Sequence, residues 1–157
     1  MKNNDILQKI KNKFPDLSLE ETPHGLVIPK TALLDVAGFL KIEMDFENCH
    51  CVTAVDRRDK LELIYLLYST SHHFMLTLKT FVTLDDLTVE TLSGLWRSAD
   101  WLEREVYDLF GIKFQNHPDL RRIMNPDDWT DFPLRKNFTR ADFIPRPQST
   151  GLKGPNS

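Results

Sequence analysis

A chain of 157 residues, 41% apolar and 27% charged, with a formal charge of −3, has room for one domain of roughly 100 to 150 residues and an extension. The N-terminus, Met1-Lys2-Asn3-Asn4-Asp5-Ile6, starts no apolar run of the signal-peptide kind, and no stretch approaches the roughly 20 apolar residues that span a bilayer. The expectation is a soluble, intracellular protein that meets a membrane through a partner.

Residues 5–14 repeat apolar groups at Ile6, Ile10 and Phe14, with Leu7 beside them, and Pro15 stops the run; the spacing predicts a short amphipathic helix. Leu17–Glu21 and Gly25–Ile28 read as two small strands joined by the turn Thr22-Pro23-His24-Gly25. From Pro29, the positions Leu33, Val36, Ala37 and Leu40 predict a second helix, with Pro29 and Thr31 suited to its start.

Three runs dense in Val, Leu, Ile, Tyr and Thr follow, at Cys49–Asp56, Leu61–Ser69 and Phe74–Val82. Their polar connections are short, which implies antiparallel hairpins. Cys49 and Cys51 flank His50; in a straight strand both thiols share one face in a geometry poor for a disulfide, and a closed metal site would need more ligands. They are expected to be small buried thiols. The order helix, strand, strand, helix and three strands fits an α+β two-layer sandwich, one sheet with two helices on a single face.

Residues 85–98 lack clear periodicity. Ala99–Phe110 then places Leu102, Val106, Leu109 and Phe110 on one helical face, with Ser98 or Asp100 able to cap it and Gly111 to end it. Six of the nine prolines lie from position 118 onward, so the remainder is expected to run as an extended arm. The division is a domain over 1–112 and a proline-rich arm over 113–157, with the segment after Trp129 leaving the body. Deleting residues 130–157 is accordingly expected to leave the sheet domain folded and to loosen it from its partners.

The charges are uneven. Residues 1–110 hold 12 Lys and Arg against 18 Asp and Glu, and residues 111–157 hold 8 against 5. With Asp119, Asp127, Asp128, Asp131 and Asp142 interspersed, the arm lacks the basic stripe of a nucleic-acid footprint. On the helix, Glu103 and Glu105 point to different sides and cannot form a carboxylate dyad, while Arg104 and Asp108 stand four apart and can pair. His117 precedes Pro118 and lies near Asp119, without a nucleophile or metal set around it. Arg121, Arg122, Arg135 and Lys136 suit charge-assisted contacts and stacking within an interface better than phosphate binding. Glu103, Asp108 and His117 as the acid–base groups of an independent enzyme form the rival reading.

The run from Glu103 to Phe138, E-R-E-V-Y-D-L-F-G-I-K-F-Q-N-H-P-D-L-R-R-I-M-N-P-D-D-W-T-D-F-P-L-R-K-N-F, resembles the signature of the C subunit of bacterial NADH:quinone oxidoreductase, respiratory complex I. The resemblance extends from about Val52 to Phe138 and falls on Glu103, Arg104, Glu105, Tyr107, Asp108, Gly111, His117, Pro118, Asp119, Arg121 and Arg122, with Arg135 and Lys136 further on. It implies structural and assembly residues in a peripheral-arm subunit without catalytic, cofactor or metal ligands of its own. The neighbours it implies are the large quinone-site subunit and the iron–sulfur subunits, flavin and clusters being carried by those chains on the cytoplasmic side of the inner membrane. An equivalent subunit of a membrane-bound hydrogenase, or of a ferredoxin- or deazaflavin-dependent quinone oxidoreductase, is the alternative within the resemblance. The chain departs from the pattern at Asn116, where glycine is common and a left-handed turn is still open to Asn, and at Asn137 and Thr139, which replace an acidic residue and a proline.

Overall fold

The computed structural model describes residues 3 to 139. Helix α1, Asn3–Lys13, buries Ile6 and Ile10 completely, as their spacing predicts. Strand β1 is confined to Glu20–Thr22, shorter than Leu17–Glu21: Leu17 and Leu19 pack against the core from a loop instead. Strand β2, Gly25–Val27, starts at a glycine with φ of 129°, where a Cβ would fall 2.3 Å from the Thr77 carbonyl oxygen. Only glycine permits that backbone approach. After a 3-10 turn at Lys30–Ala32, helix α2, Leu33–Glu43, buries Leu33, Val36, Ala37 and Leu40.

Strands β3 (Asn48–Asp56), β4 (Lys60–Ser69) and β5 (Phe74–Thr83) form the expected antiparallel meander. The full sheet has the order β1-β2-β5-β4-β3, with β2 parallel to β5. Its inward side chains, among them Leu61, Leu63, Tyr65 and Leu67 of β4 and Leu76, Leu78 and Val82 of β5, share one core with all three helices. The two-layer α+β architecture holds. The straight-strand expectation for the cysteines does not: the register slips between Cys49 and Cys51, so His50 forms a bulge and turns the thiols to opposite faces. Cys49 is buried and Cys51 only half so.

Residues 85–98 conceal a short strand, β6 at Thr88–Glu90, which pairs in parallel with β7 at Lys113–Gln115. Three residues are too few for a period to be read. Helix α3 runs from Arg97 to Phe110, and neither Ser98 nor Asp100 caps it. The N-cap is Trp96, whose Nε1 donates to the Phe46 carbonyl at 2.9 Å, and the Ser98 hydroxyl donates to the Cys49 carbonyl at 2.8 Å. These contacts fix the start of α3 to the sheet side of the molecule in place of a side-chain cap. Gly111 ends the helix as expected, at φ of 84° with its N–H on the Tyr107 carbonyl at 2.9 Å.

Beyond Gln115 the chain does not depart from the body within the described residues. The Leu134 N–H bonds the Leu109 carbonyl at 3.1 Å, and the Lys136 N–H bonds Asp56 at 2.9 Å. The segment after Trp129 therefore turns back as a strap over α3, held by polar contacts that proline content does not reveal. Residues 140–157, including the rest of the predicted arm, lie outside the described residues.

Candidate functional site

Helix α3 organises two buried polar centres, one about its middle and one near its C-terminal end. At the first, Glu103 has no exposed surface. Its carboxyl accepts from the Tyr65 hydroxyl at 3.0 Å, from the Leu92 N–H at 2.8 Å and from the Thr91 hydroxyl. Glu103 therefore bonds to β4 through Tyr65 and to the loop after β6 through Thr91 and Leu92. Burial pushes its pKa up to about 7, against the Thr91, Leu92 and Tyr65 bonds that favour the charged form; Asp100 pushes it further up. Burial, reinforced by Glu103, likewise raises the Tyr65 hydroxyl and lifts the Cys49 thiol to about 12.

His117, whose side chain is fully buried, completes this centre. The Asp119 N–H points at Nδ1 at 3.1 Å, which leaves the ring proton on Nε2, facing the Asp100 carbonyl at 3.1 Å. Nε2 also lies 3.7 Å from the Asp100 carboxylate and 4.0 Å from that of Glu103. His117 thus meets Asp119 through the backbone N–H of Asp119, and the ring's tautomer is set by it. Asn116 takes the left-handed conformation expected of it, φ 61°, and its side-chain amide donates to Glu90 at 2.9 Å. A depression of about 420 Å³ lined in part by Thr91, Ser93, Asp100 and Pro118 lies over the cluster.

At the second centre, Asp108 is equally buried. It accepts from the N–H groups of Ile123, Met124 and Asn125 at 3.0, 2.6 and 2.9 Å, from the Asn125 amide at 2.9 Å and from Arg122 at 2.6 Å. Burial alone would raise this carboxyl; the Asn125, Arg122 and Met124 donors outweigh it and hold the group well below the carboxylate range. The expected Arg104–Asp108 pair does not form. Arg104 bonds the Arg121 carbonyl at 3.3 Å, approaches Asp119 at 3.6 Å and stacks on Trp101 at 4.7 Å. A buried carboxylate needs several donors, and the turn at 123–125 supplies three from its backbone alone.

The strap also completes the helix end. The last four carbonyls of an α-helix lack partners within it, and here Tyr107 is met by Gly111, Leu109 by Leu134, Asp108 by Arg122 at 3.0 Å and Phe110 by Arg135 at 3.3 Å. No basic residue lies in the last turn of α3; Arg122 and Arg135 bring positive charge to its negative end. Arg122 further bonds the Asp131 carbonyl at 3.3 Å and lies over Phe132 at 5.2 Å. Phe132 in turn covers Gly111 so closely that a Cβ would sit 2.7 Å from its ring.

The strap ends on the sheet. Arg135 lies 3.3 Å from Asp56, which also receives the Lys136 N–H and, at 2.6 Å, the Arg58 N–H. Burial works against ionisation of Asp56, but these N–H groups and Arg135 keep its pKa low. Of the predicted residues, Glu105 is exposed, Tyr107 packs partly against the core, and Arg121 pairs with Asp119 at 2.9 Å on the surface. Sequence reasoning missed Asp56, Tyr65, Thr91, Asp100 and Asn125. The one available signal was for Tyr65, a hydroxyl placed by alternation on the same face as Leu61, Leu63 and Leu67 of β4.

Glu103 and His117 are brought together, whereas Asp108 lies further along the helix, occupied by strap donors. No group of three metal-ligating side chains forms among the described residues. No helix among them is long and apolar enough to cross a membrane. The family described as "Respiratory-chain NADH dehydrogenase, 30 Kd subunit" matches residues 26–143. The chain belongs to that family. It is 41% identical to the C subunit of the NADH-quinone oxidoreductase of Geobacter sulfurreducens over 87% of this chain and 89% of that one. The C subunit of the F(420)H(2) dehydrogenase of Methanosarcina mazei is 34% identical over 85% and 89%. Among solved structures, the trypsin-resistant fragment of Nqo5 superposes with a TM-score of 0.65 at 28% identity, over 76% of this chain and all of the fragment. A chain of the archaeal membrane-bound sulfane sulfur reductase does so at 0.75 and 25% identity, over 90% and 88%. The signature resemblance and the α+β fold are thus those of a complex I-type subunit.

Proposed function

We propose that this chain is a structural and assembly subunit of a proton-translocating NADH:quinone oxidoreductase, seated on the cytoplasmic side of the membrane against the large quinone-site subunit and the iron–sulfur subunits. It carries no catalytic, flavin or iron–sulfur site of its own and makes no contact with nucleic acid. Electrons would pass from NADH to quinone through the other chains. The observation that carries this reading is the use made of the signature: Asp108, Gly111, Arg122 and Arg135 spend their hydrogen bonds and close contacts joining the strap to α3.

Family membership supports the assembly, and the NADH-quinone oxidoreductase relatives support NADH as donor. The Methanosarcina relative supports a second reading, the equivalent subunit of a complex fed by a different donor. The test is affinity purification of the tagged full chain from its own cells with mass spectrometry of what accompanies it. The other subunits, including a flavin-bearing NADH module, are expected; a chain recovered alone would overturn the proposal, and a different donor module would select the second reading. Truncation should be placed after Thr139, because a cut at 130 removes Leu134, Arg135 and Lys136 from α3 and Asp56. Loss of the same partners without loss of folding is the expected result.

A further inference from the structure

We infer that the face of the five-stranded sheet turned away from the helices is a docking surface for a partner subunit that offers an apolar centre and carboxylates opposite the β3–β4 turn. This rests on the chain's place in a larger complex.

The register puts Val55, Ile64, Leu66, Tyr68, Met75 and Phe81 on this outer face, opposite in parity to Leu63, Tyr65, Leu67 and Leu78. None of the six is among the residues that form the core or pack against it. An antiparallel sheet with one wet face alternates apolar and polar residues, whereas a strand covered on both faces reads as a nearly continuous apolar run. β4 is of the second kind: between Leu61 and Tyr68 the one charged residue is Glu62. Monomeric proteins seldom leave so continuous an apolar surface uncovered.

The charges on the face identify the occupant. Glu62 is already bound by Lys79 at 3.0 Å and by Arg57 at 2.8 Å, so it offers nothing outward. Lys60 lies over the Phe81 ring at 4.1 Å, and Arg58 is exposed in the same turn. The turn end of the face is therefore basic: Arg57, Arg58, Lys60 and Lys79 stand there against Asp59 and Glu62. A second copy of this chain is a poor complement, because the other outward carboxylate on these strands is Glu20, at the β1 edge. A different subunit with an acidic rim around an apolar centre fits.

Cys51 reports on the face directly, since the bulge turns it outward opposite Leu66 while Cys49 is buried with its thiol raised to about 12. Maleimide labelling of Cys51 should be slower by at least about tenfold in the purified complex than in the free full chain, because thiol reactivity follows access. Ile64→Glu and Leu66→Glu, which alter no core side chain, should keep the circular dichroism of the free chain and reduce co-purifying subunits. Lys60→Glu with Arg58→Glu should reduce them less and change their salt dependence.

Equal labelling of Cys51 in a complex that retains its subunits would overturn the inference while leaving complex membership intact. A wild-type chain that brings down no subunit would instead defeat the membership reading itself. Protection in the free chain that disappears on truncation after Thr139 would assign the face to the chain's own terminus and overturn the partner. Protection that rises with concentration alongside a dimer would assign it to a second copy, with the same consequence. Should the glutamate variants fail to fold, the Cys51 comparison on the wild-type complex decides.

Discussion

Glu103 and Asp108 lie on one helix, both without exposed surface, yet one carboxyl is pushed up to about 7 and the other held well below the carboxylate range. Surface exposure does not distinguish them; Glu103 lies deeper in the protein, where desolvation dominates, and the two receive different donors. Glu103 receives two hydroxyls and one backbone N–H, with no cation among them. Asp108 receives three backbone N–H groups, an amide and a guanidinium. The first centre joins α3 to the sheet and tolerates a neutral acid. The second joins the strap to α3 and requires an anion.

The largest effect should come from breaking the second centre. Asp108→Ala leaves Arg122 without its carboxylate and three N–H groups without an acceptor, a loss of about 3–5 kcal/mol. Urea denaturation of the free chain should show it, and a midpoint close to wild type would mean that the strap contributes nothing to the fold. Gly111→Ala tests the same junction through its backbone. A left-handed alanine costs about 1–2 kcal/mol, and displacing Phe132 from contact at 2.7 Å brings the total to about 2–3 kcal/mol. The expected signature is a lower denaturation midpoint together with faster proteolysis of the strap.

The first centre should respond to pH instead. Because the Glu103 carboxyl is raised from its ordinary 4.5 to about 7, the folded chain holds a proton there that the unfolded chain has released. That contribution is fully present below pH 4.5 and is lost as pH rises through 7, a change of about 1–3 kcal/mol. Asp108 has the opposite sign: its stabilisation is present above its ordinary 3.8 and is lost as pH falls below it. Glu103→Gln should remove the decline between about pH 4.5 and 7 and leave the acid-side loss unchanged. If its stability curve ran parallel to wild type over that range, Glu103 would not be the titrating group.

The legible parts of the molecule are those with long periods. Ile6 and Ile10, Leu33 to Leu40 and the three strands of the meander announce themselves by spacing, and the turns by their residues. Gly111 as a helix end and Asn116 as a left-handed turn were legible because each is required by backbone geometry. The site was harder to read because its contacts are long-range: Asp56 meets Lys136 across 80 positions and Tyr65 meets Glu103 across 38. The Arg104–Asp108 expectation failed for the same reason. Helical spacing offered a partner, and three consecutive backbone N–H groups from a distant turn outcompeted it.

Arg121 and Arg122 mark the limit of that legibility, since adjacent and identical residues play unlike parts. Arg122 is nearly buried against Asp108, with 9% of its side chain exposed, whereas Arg121 leaves 68% exposed beside an Asp119 that is 50% exposed. A solvated pair gains little, because water screens both charges and the side chains lose freedom in meeting. Arg121→Ala should therefore change stability by no more than about 0.5 kcal/mol, and high salt should remove even that. Its backbone carbonyl, which accepts from Arg104 at 3.3 Å, survives the substitution. A loss near that expected for Asp108→Ala would show that the Asp119 pair, with Arg104 behind it, helps hold the strap, and the division between the two centres on α3 would have to be redrawn.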